Sequence, residues 1–250
     1  MSSSYIFANK SQLLTAVQQW TSNQTFATDI YGDINSWDVS AITDFSQLFQ
    51  YQYTFNSDIS NWDVSSGTNF SYMFNDASSF NQDIGDWDVS SGTNFIQMFS
   101  NANAFNQDIS DWDVSNGIYF DYMFFAAYDF NQDIGDWNVG NGRSFAGMFW
   151  ASQSFNQNLK HWDVSSGYNF NYMFLVAHLM NENGWSMTPI STDFLSQNIT
   201  GDTASEIING STGNDILNGL GGSDKITGGN GWDKLYGGDG NDKLYGDRGA

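Results

Sequence analysis

The apolar positions of the chain recur with a period of 25 residues. Trp occurs at this interval six times, from Trp37 to Trp162, without a slip. One period reads Phe-Asn-Gln-Asp-Ile-x-x-Trp-Asp-Val-Ser, as at 80–90, and continues through a variable turn into Phe-x-x-Met-Phe. Six copies of one such unit predict a solenoid, in which each coil stacks on its neighbours.

The first predicted element of each coil is a short strand. In the third repeat, Trp87 and Val89 share one face of an alternating segment, and Asp88 lies on the other. The segment Ile-x-x-Trp-x-Val resembles a leucine-rich-repeat strand with Trp in a Leu position. We expect the strands of successive coils to stack in parallel at roughly 4.8 Å.

The second predicted element of each coil is a helix of about two turns. Phe70, Met73, Phe74 and Ala77 have the spacing i, i+3, i+4 and i+7, and Thr68 precedes them as an N-cap candidate. A separate column of Asn recurs at 56, 81, 106, 131, 156 and 181. We interpret it as an asparagine ladder that hydrogen-bonds the backbone at the turn, and not as a ligand site.

The repeats are expected to be closed at both ends. Residues 11–20 place Leu13, Leu14, Val17 and Trp20 on one side of an amphipathic helix, which predicts a cap for the open end of the solenoid. The pattern decays after 174, and the sole Pro follows at 189. The predicted organisation is an N-terminal helical cap at 1–36, six repeats at 37–185, a C-terminal cap and linker at 186–200 and a second kind of repeat at 201–250.

The second repeat has a period of nine residues. The segments 228–236 and 237–245 match the nonapeptide G-G-x-G-x-D-x-U-x in full. Glycines let the backbone curl so that carbonyl oxygens point at a cation, and Asp adds a hard anionic oxygen. A flexible Gly/Asn/Asp linker would not hold this register. Two nonapeptides per turn therefore predict a β-roll that binds Ca²⁺, with a structural rather than a regulatory role for the metal.

In this roll, copies two apart stack on one another. Asp215 is expected to pair with Asp233, and Asp224 with Asp242, each pair around one Ca²⁺, while Glu206 with Asp224 forms a weaker third site. The predicted calcium-binding residues are Glu206, Gly210, Gly213, Asp215, Gly219, Gly222, Asp224, Gly228, Asn230, Gly231, Asp233, Asp239 and Asp242.

Charge and composition remove several classes of function. The chain carries 28 acidic against 7 basic residues, a net charge of −21, which opposes nucleic-acid partners and anionic membrane surfaces. It has no Cys, which excludes disulfide scaffolds and thiolate chemistry. No apolar run is long enough for membrane insertion. Neither H-E-x-x-H nor G-x-S-x-G occurs, so we predict that the protein is not an enzyme. A polysaccharide-active enzyme remains a weak alternative, because paired Asp residues are abundant.

Two surfaces of the predicted solenoid are candidate binding sites. The first is a stripe of carboxylates that is able to bind calcium, a cationic peptide or sugar hydroxyls. Its alternative is a solvated acidic face, which suits saline water and favours a marine source. The candidate ligand-binding residues are Asp63, Asp86, Asp88, Asp111, Asp113 and Asp136.

The second surface is aromatic. The position 13 residues after each Trp is polar in the first three coils and large and apolar in the last three. Such a patch commonly marks an interface, so we favour homodimerisation or docking of the tail there over a ligand groove. The candidate interface residues are Tyr119, Tyr122, Phe125, Trp150 and Leu175.

Both repeats resemble known families. The nonapeptides resemble the RTX repeats of proteins that Gram-negative bacteria export by type I secretion, which implies a roll that folds with Ca²⁺ outside the cell. Residues 30–185 resemble the BspA-like leucine-rich repeats of bacterial surface proteins linked to adhesion. Asn138, Gly140 and Asn158 depart from that repeat. The sixth nonapeptide stops at Ala250, which is expected of a fragment of a longer RTX adhesin.

Together these resemblances imply an extracellular ligand-binding module of a calcium-dependent adhesin, secreted or held at the cell surface. Its expected role is cell-surface or biofilm attachment, through a peptide or glycan ligand on a cell or in the extracellular matrix. The alternative is a calcium-linked homodimerisation module that joins two adhesins.

Overall fold

The computed structural model describes residues 4–182, 198–210, 215–229 and 233–246. The chain divides into two compact units, which comprise Met1–Gln157 with Ser166–Thr188 and Asn158–Ser165 with Pro189–Ala250. The linker predicted at 186–200 lies outside the described residues except for its last three. None of the helices in the described ranges is long and apolar enough to cross a membrane.

The first unit begins with two helices. Asn9 begins the first of them, because its side chain accepts a hydrogen bond from the backbone N–H of Gln12 at 3.1 Å. Asn23 does the same for the second helix through the N–H of Phe26 at 3.1 Å. The elements are α1 (Lys10–Ser22), α2 (Gln24–Tyr31) and one turn of 3-10 helix (Ile34–Ser36).

The apolar side of α1 packs inward. Leu13, Val17 and Trp20 are buried and Leu14 is half-buried, which confirms the amphipathic helix predicted at 11–20. This burial explains why a helix of modest intrinsic propensity forms here, since most helical stability in proteins comes from packing an apolar face.

An ion pair ties α1 to the first repeat. Lys10 Nζ lies 3.0 Å from Asp44 Oδ2 and also donates to Ser46 Oγ. Burial raises the pKa of the Asp44 carboxyl, but hydrogen bonds from Ser46 and the charge of Lys10 outweigh it and hold that pKa below its usual value of 3.8. The folded state therefore favours the charged carboxylate.

Lys10→Met is expected to destabilise the protein at neutral pH by at most about 1 kcal/mol, because the pair is partly exposed. Since the pKa of Asp44 is lowered on folding, its contribution is present above the ordinary value of 3.8 and is lost as pH falls through the lower folded value. The stability gap between parent and variant should therefore narrow at acid pH. Denaturant unfolding at neutral and acid pH measures it, with Lys160→Met as the control, and a gap that does not change with pH would contradict the assignment.

The repeats of the first unit stack in parallel through their backbones. Isolated parallel bridges join Asp44 to Asn69 and continue from coil to coil as far as Asn169. Alternate residues donate to the next coil: the N–H groups of Phe70 and Phe74 each reach a carbonyl oxygen 24 residues further along, at 2.9 Å. The predicted parallel stacking of coils is thus present, but it passes through the Phe-x-x-Met-Phe segment.

The predicted two-turn helix is wrong. In the second repeat the segment is a run of tight turns, in which Met73 N–H donates to the carbonyl of Phe70 at 3.2 Å. Tyr72 and Asp76 both have φ of 60°, in the left-handed region that no helix contains. Every second N–H of the segment, which a helix would direct to its own carbonyls, goes instead to the next coil. The helical spacing nevertheless identified the buried side chains correctly, as the full burial of Phe70 and Phe74 shows.

The predicted strand at Trp-Asp-Val is also absent in the described repeats. In the third repeat, Trp87 N–H closes a turn on the carbonyl of Ile84 at 3.2 Å, and Asp88 Oδ1 accepts the N–H of Ser90 at 3.0 Å. Turn hydrogen bonds therefore replace the ladder that a leucine-rich-repeat strand would form. The alternation itself is kept, because Trp87 and Val89 are buried and Asp88 is exposed.

Columns of stacked Phe rings fill the core. Successive rings of two columns have centroids 5.3–5.7 Å apart, and those of the third lie 5.8–6.0 Å apart. A hydrogen bond explains why the Trp column carries Trp: Trp112 Nε1 donates to the carbonyl of Ile84 in the preceding coil at 3.0 Å. The Phe columns are Phe45–Phe70–Phe95–Phe120–Phe145–Phe170, Phe49–Phe74–Phe99–Phe124–Phe149–Phe174 and Phe55–Phe80–Phe105–Phe130–Phe155.

The asparagine ladder is confirmed from Asn56 to Asn156. Asn181 departs from it, because it lies in the short helix His178–Glu182 and its N–H donates to the carbonyl of Ala177 at 3.0 Å. Asn106 Oδ1 accepts the backbone N–H of Asn131 at 2.9 Å and the Gln132 side-chain amide at 2.8 Å. The same pattern links Asn81 to Asn106. Each Asn thus replaces a backbone acceptor that the turn does not provide.

Asn106→Ala is expected to lower the free energy of unfolding by about 1–3 kcal/mol, because it leaves a half-buried N–H without an acceptor. Asn116→Ala removes only an exposed donor to the carbonyl of Ser90 and is the matched control. Denaturant unfolding compares the two variants. Equal losses would show that the ladder contributes no more than a surface hydrogen bond.

In the second unit, three-residue strands form two parallel three-stranded sheets with orders β1-β3-β5 and β2-β4-β6. Ile208, Leu217 and Ile226 are buried between flanking Ile199 and Leu235, whereas the last residue of the column, Leu244, is 46% exposed. The strands are β1 (Asn198–Thr200), β2 (Ile207–Asn209), β3 (Ile216–Asn218), β4 (Lys225–Thr227), β5 (Lys234–Tyr236) and β6 (Lys243–Tyr245). The last described element of the first unit is α3 (His178–Glu182).

Candidate calcium site and binding surfaces

Nonapeptides two copies apart lie side by side in the second unit. Strand β4 pairs with β6 in parallel register, with Ile226 opposite Leu244, and β3 pairs with β5 in the same way. Alternate copies therefore belong to opposite sheets, as the sequence predicts. The sixth residues of successive copies therefore form two columns of acidic side chains, with alternate copies contributing to each column.

Hydrogen bonds fix these carboxylates in their columns. Asp224 Oδ1 accepts the backbone N–H of Glu206 at 2.9 Å, and Asp224 N–H donates to Asp242 Oδ1 at 2.9 Å. In the other column, Asp215 N–H donates to Asp233 Oδ1 at 3.0 Å. Asp224, Asp233 and Asp242 thus each have Oδ1 held by a backbone N–H of the preceding copy in the column.

The second oxygen of two of these carboxylates has no partner among the described residues. Asp224 Oδ2 and Asp233 Oδ2 are buried and accept no hydrogen bond from the described residues. A buried carboxylate oxygen without a partner is costly, and in native proteins such groups are paired or bind a cation.

Glycine keeps the space beside these oxygens open. A Cβ at Gly219 would collide with Asp224 Oδ2 and lie 2.7 Å from the carbonyl oxygen of Gly237. A Cβ at Gly228 would likewise collide with Asp233 Oδ2. A carboxylate oxygen and a carbonyl from the next copy in the stack therefore converge on one small space. Ca²⁺ prefers such oxygen ligands at about 2.3–2.6 Å, so the residues present fit the ion.

Most of the predicted calcium-binding residues lie in this stack, but Gly213, Asn230 and Gly231 fall outside the described residues. Asp239 lies in an exposed loop, where its N–H donates to the carbonyl of Leu220 at 2.9 Å. Gly237 also belongs to the site, through its carbonyl. It was not among the predicted residues, although it lies in the same nine-residue column as Gly219 and Gly228, which were. In the described ranges, no three His, Asp or Glu side chains lie close enough together to hold a metal ion by themselves.

The acidic stripe of the first unit divides into two columns with different roles. Asp63, Asp88 and Asp113 each accept the N–H of a Ser two residues on, at 2.9–3.1 Å. Hydrogen bonds from Ser115 lower the pKa of Asp113 below its usual value. This column therefore closes turns. The other column is exposed, and no described residue hydrogen-bonds its side chains; it consists of Asp86, Asp111 and Asp136.

The aromatic patch contains a cluster of rings. Phe125 and Trp150 meet edge to face at 5.3 Å, and Tyr122 lies 6.1 Å from Phe125 and 6.3 Å from Trp150. Tyr172, which the 25-residue repeat places near the patch, packs on Trp150 at 5.9 Å. Tyr119 takes part in the parallel backbone bridges and its ring is 39% exposed. Leu175 contributes its carbonyl to the N–H of Ala151.

These features define a class of protein with two kinds of repeat, a parallel array of 25-residue coils and a nonapeptide roll of the calcium-binding type. The chain belongs to the family described as Mycoplasma protein of unknown function, DUF285, which matches residues 15–118 and 93–187. Residues 200–233 and 225–250 match the RTX calcium-binding nonapeptide repeat. No curated protein and no solved structure matches the chain. The two repeat families are structural or binding repeats and indicate a surface or extracellular protein.

Proposed function

We propose that the chain is an attachment module of the RTX adhesin type, secreted by a type I system of a Gram-negative bacterium. The array, a leucine-rich-repeat solenoid in which turns replace the strand, carries the ligand-binding face. The roll folds when it meets extracellular calcium. The observation that supports this most directly is a pair of buried oxygens that have no partner among the described residues, Asp224 Oδ2 and Asp233 Oδ2.

Electrostatics explain why the roll needs a cation. Glu206, Asp224 and Asp242 succeed one another in one column at the spacing of parallel strands, about 4.8 Å. Neighbouring carboxylates at that distance repel by roughly 1 kcal/mol in water and by several times more in a lower dielectric. A bound Ca²⁺ supplies the compensating positive charge, and the chain's carboxylate and Gly carbonyl oxygens hold it. Binding and folding are therefore coupled.

The array gives the module a rigid, extended surface. Its coils are joined by backbone hydrogen bonds and by Phe columns that continue from coil to coil. Repeat arrays of this kind present large faces to ligands, and a net charge of −21 keeps the surface soluble in salt. We place the function in cell-surface or biofilm attachment, in a saline environment.

The experiment is attachment of beads coated with the full chain, in calcium, to bacterial and eukaryotic cells. Coated beads are expected to attach better than albumin-coated beads, and soluble chain is expected to compete. Attachment no better than that of albumin-coated beads would overturn the proposal.

Self-association is the competing function, in which the array joins two adhesins. It is favoured by exposed rings beside the aromatic cluster, since Tyr172 is 53% and Tyr168 is 70% exposed. Sedimentation equilibrium tests it directly. Coated beads that clump with one another but ignore cells, together with a dimer in solution, would replace ligand attachment by self-association.

A further inference from the structure

We propose that a groove on the side of the array formed by the turns of the Phe-x-x-Met-Phe segments binds a neutral oligosaccharide. This inference rests on the proposed attachment function and names its ligand class. The groove has a volume of about 340 Å³ and crosses five successive coils of the first unit, from Tyr51 to Trp150. That volume lies within the range of about 300–1,000 Å³ that is usual for small-molecule sites.

One end of the groove is a wall of aromatic rings. Tyr122, Phe125 and Trp150 line it, and all three are half-buried, so each presents part of a ring to solvent. Phe125 and Trp150 hold each other edge to face at 5.3 Å. Aromatic rings fixed in this way provide a flat apolar platform, on which the C–H face of a pyranose ring can stack.

Gly147 is the residue that positions this wall. It occupies a column in which the other coils carry Gln47, Tyr72, Gln97, Tyr122 and Tyr172, all at positive φ, so the backbone itself does not require glycine. A Cβ at Gly147 would collide with the Tyr122 ring, and it would lie 3.2 Å from Tyr122 Cζ. The missing side chain therefore creates the seat in which the Tyr122 ring lies.

The middle of the groove is polar and has open hydrogen-bonding capacity. Within the described residues, no hydrogen bond holds the side chains of Asp76, Gln97 and Asn101, which line the groove. Asp76 differs in this from turn-closing aspartates such as Asp88 and Asp113. One carboxylate and two amides beside a ring platform match the vicinal hydroxyls of a sugar, which both donate and accept hydrogen bonds.

Charge and ring geometry select among ligands. The groove contains one carboxylate and no Lys or Arg, and the chain carries a net charge of −21, so sulfated and uronic glycans are repelled. Phe125 and Trp150 contact each other directly, so they leave no gap between them that could enclose an alkylammonium group. A larger cleft of about 640 Å³ near the cap lacks a platform, because its one ring, Trp37, is 2% exposed.

The test is calorimetric titration of the full calcium-loaded chain with cellohexaose, laminarihexaose, mannohexaose and chitohexaose. At least one of them is expected to bind, and heparin hexasaccharide is not. Trp150→Ala and Asp76→Ala should each weaken that binding by at least about tenfold. Gly147→Ala should weaken it similarly although it removes no ring. Tyr168→Ala deletes an exposed ring outside the groove and is the matched control.

Thermal unfolding of each variant shows that it is folded before titration. Failure of all four saccharides to bind the folded chain would overturn the proposal, and so would equal affinity of Trp150→Ala and the parent. Beads that attach to cells, with no inhibition by any of the saccharides and no loss in Trp150→Ala, would leave the attachment function standing and remove the glycan assignment. Saccharide binding by a chain whose beads do not attach would remove the attachment function alone.

Discussion

Trypsin is expected to cut the chain after Lys225, Lys234 and Lys243 in chelator and to spare these three bonds in calcium. Four of the seven basic residues lie in the nonapeptides, at 225, 234, 243 and 248. In the folded roll, Lys225, Lys234 and Lys243 begin strands, and their N–H groups are bound to Glu206, Asp215 and Asp224 carbonyls at 2.7–2.9 Å. Trypsin can cleave these bonds only when the backbone around them is released from such hydrogen bonds. At calcium one hundred times above its Kd, cleavage at these three lysines should slow by about two orders of magnitude.

The same digestion distinguishes the two units. The first unit should resist trypsin in both conditions, because Arg143 N–H is bound to the carbonyl of Ile118 at 2.8 Å and no calcium is needed there. Asp224→Asn keeps an oxygen for the N–H of Glu206 but removes the charge, so protection should require at least about tenfold more calcium. Asp86→Asn makes the same change in the array and is the control.

Two results would contradict the calcium assignment. One is equal cleavage after the three lysines in chelator and calcium. The other is full protection by Mg²⁺ at the same concentration, because that ion demands a tighter octahedral shell than a carboxylate and stacked carbonyls provide.

Phe99→Ala is expected to lower the free energy of unfolding of the array by about 3–5 kcal/mol. Phe99 is fully buried and stacks on Phe74 and Phe124, both at 5.6 Å, and on Phe105 at 4.0 Å. Truncation of this ring interrupts a column that continues through the coils on both sides. The cavity therefore cannot be closed by movement of one neighbour alone.

Trp fluorescence in guanidinium measures this loss, since eight of the ten Trp residues lie between 20 and 162. Tyr53→Ala removes a ring that is 58% exposed and should change stability by no more than about 0.5 kcal/mol. A Phe99→Ala variant as stable as Tyr53→Ala would show that the Phe columns are not the source of stability.

Side-chain burial was predictable from the sequence, and backbone partners were not. The spacing of Phe70, Met73, Phe74 and Ala77 identified four fully buried residues, although the helix drawn from it was wrong. A helix and a run of turns place the same positions on one face. The two structures differ in whether the backbone N–H groups donate to carbonyls of the same segment or to carbonyls of the next coil. The sequence of one repeat does not show where the next coil lies, so it cannot decide between them.

The nonapeptide roll was the more predictable of the two units, because its chemistry is local and its register is strict. Nine-residue spacing alone places Asp224 beside Asp242 and alternate copies on opposite sheets. The burial of Asp224 Oδ2, with no partner among the described residues, is visible only in the tertiary structure, since it depends on the packing of Gly219 and the carbonyl of Gly237 beside that oxygen.

The sequence by itself determined the two periods, the buried columns, the Asn ladder and the calcium-type carboxylates, because each recurs at a fixed interval and identical copies share one environment. The tertiary structure alone decided that coils are joined through turns, that Asp88 and Asp113 close those turns, and that Tyr122 lies over Gly147 beside an open groove. The groove arises where the repeat is broken. The effect of a residue that departs from the repeat can be understood only once the structure shows which side chain of the neighbouring coil fills the space beside it.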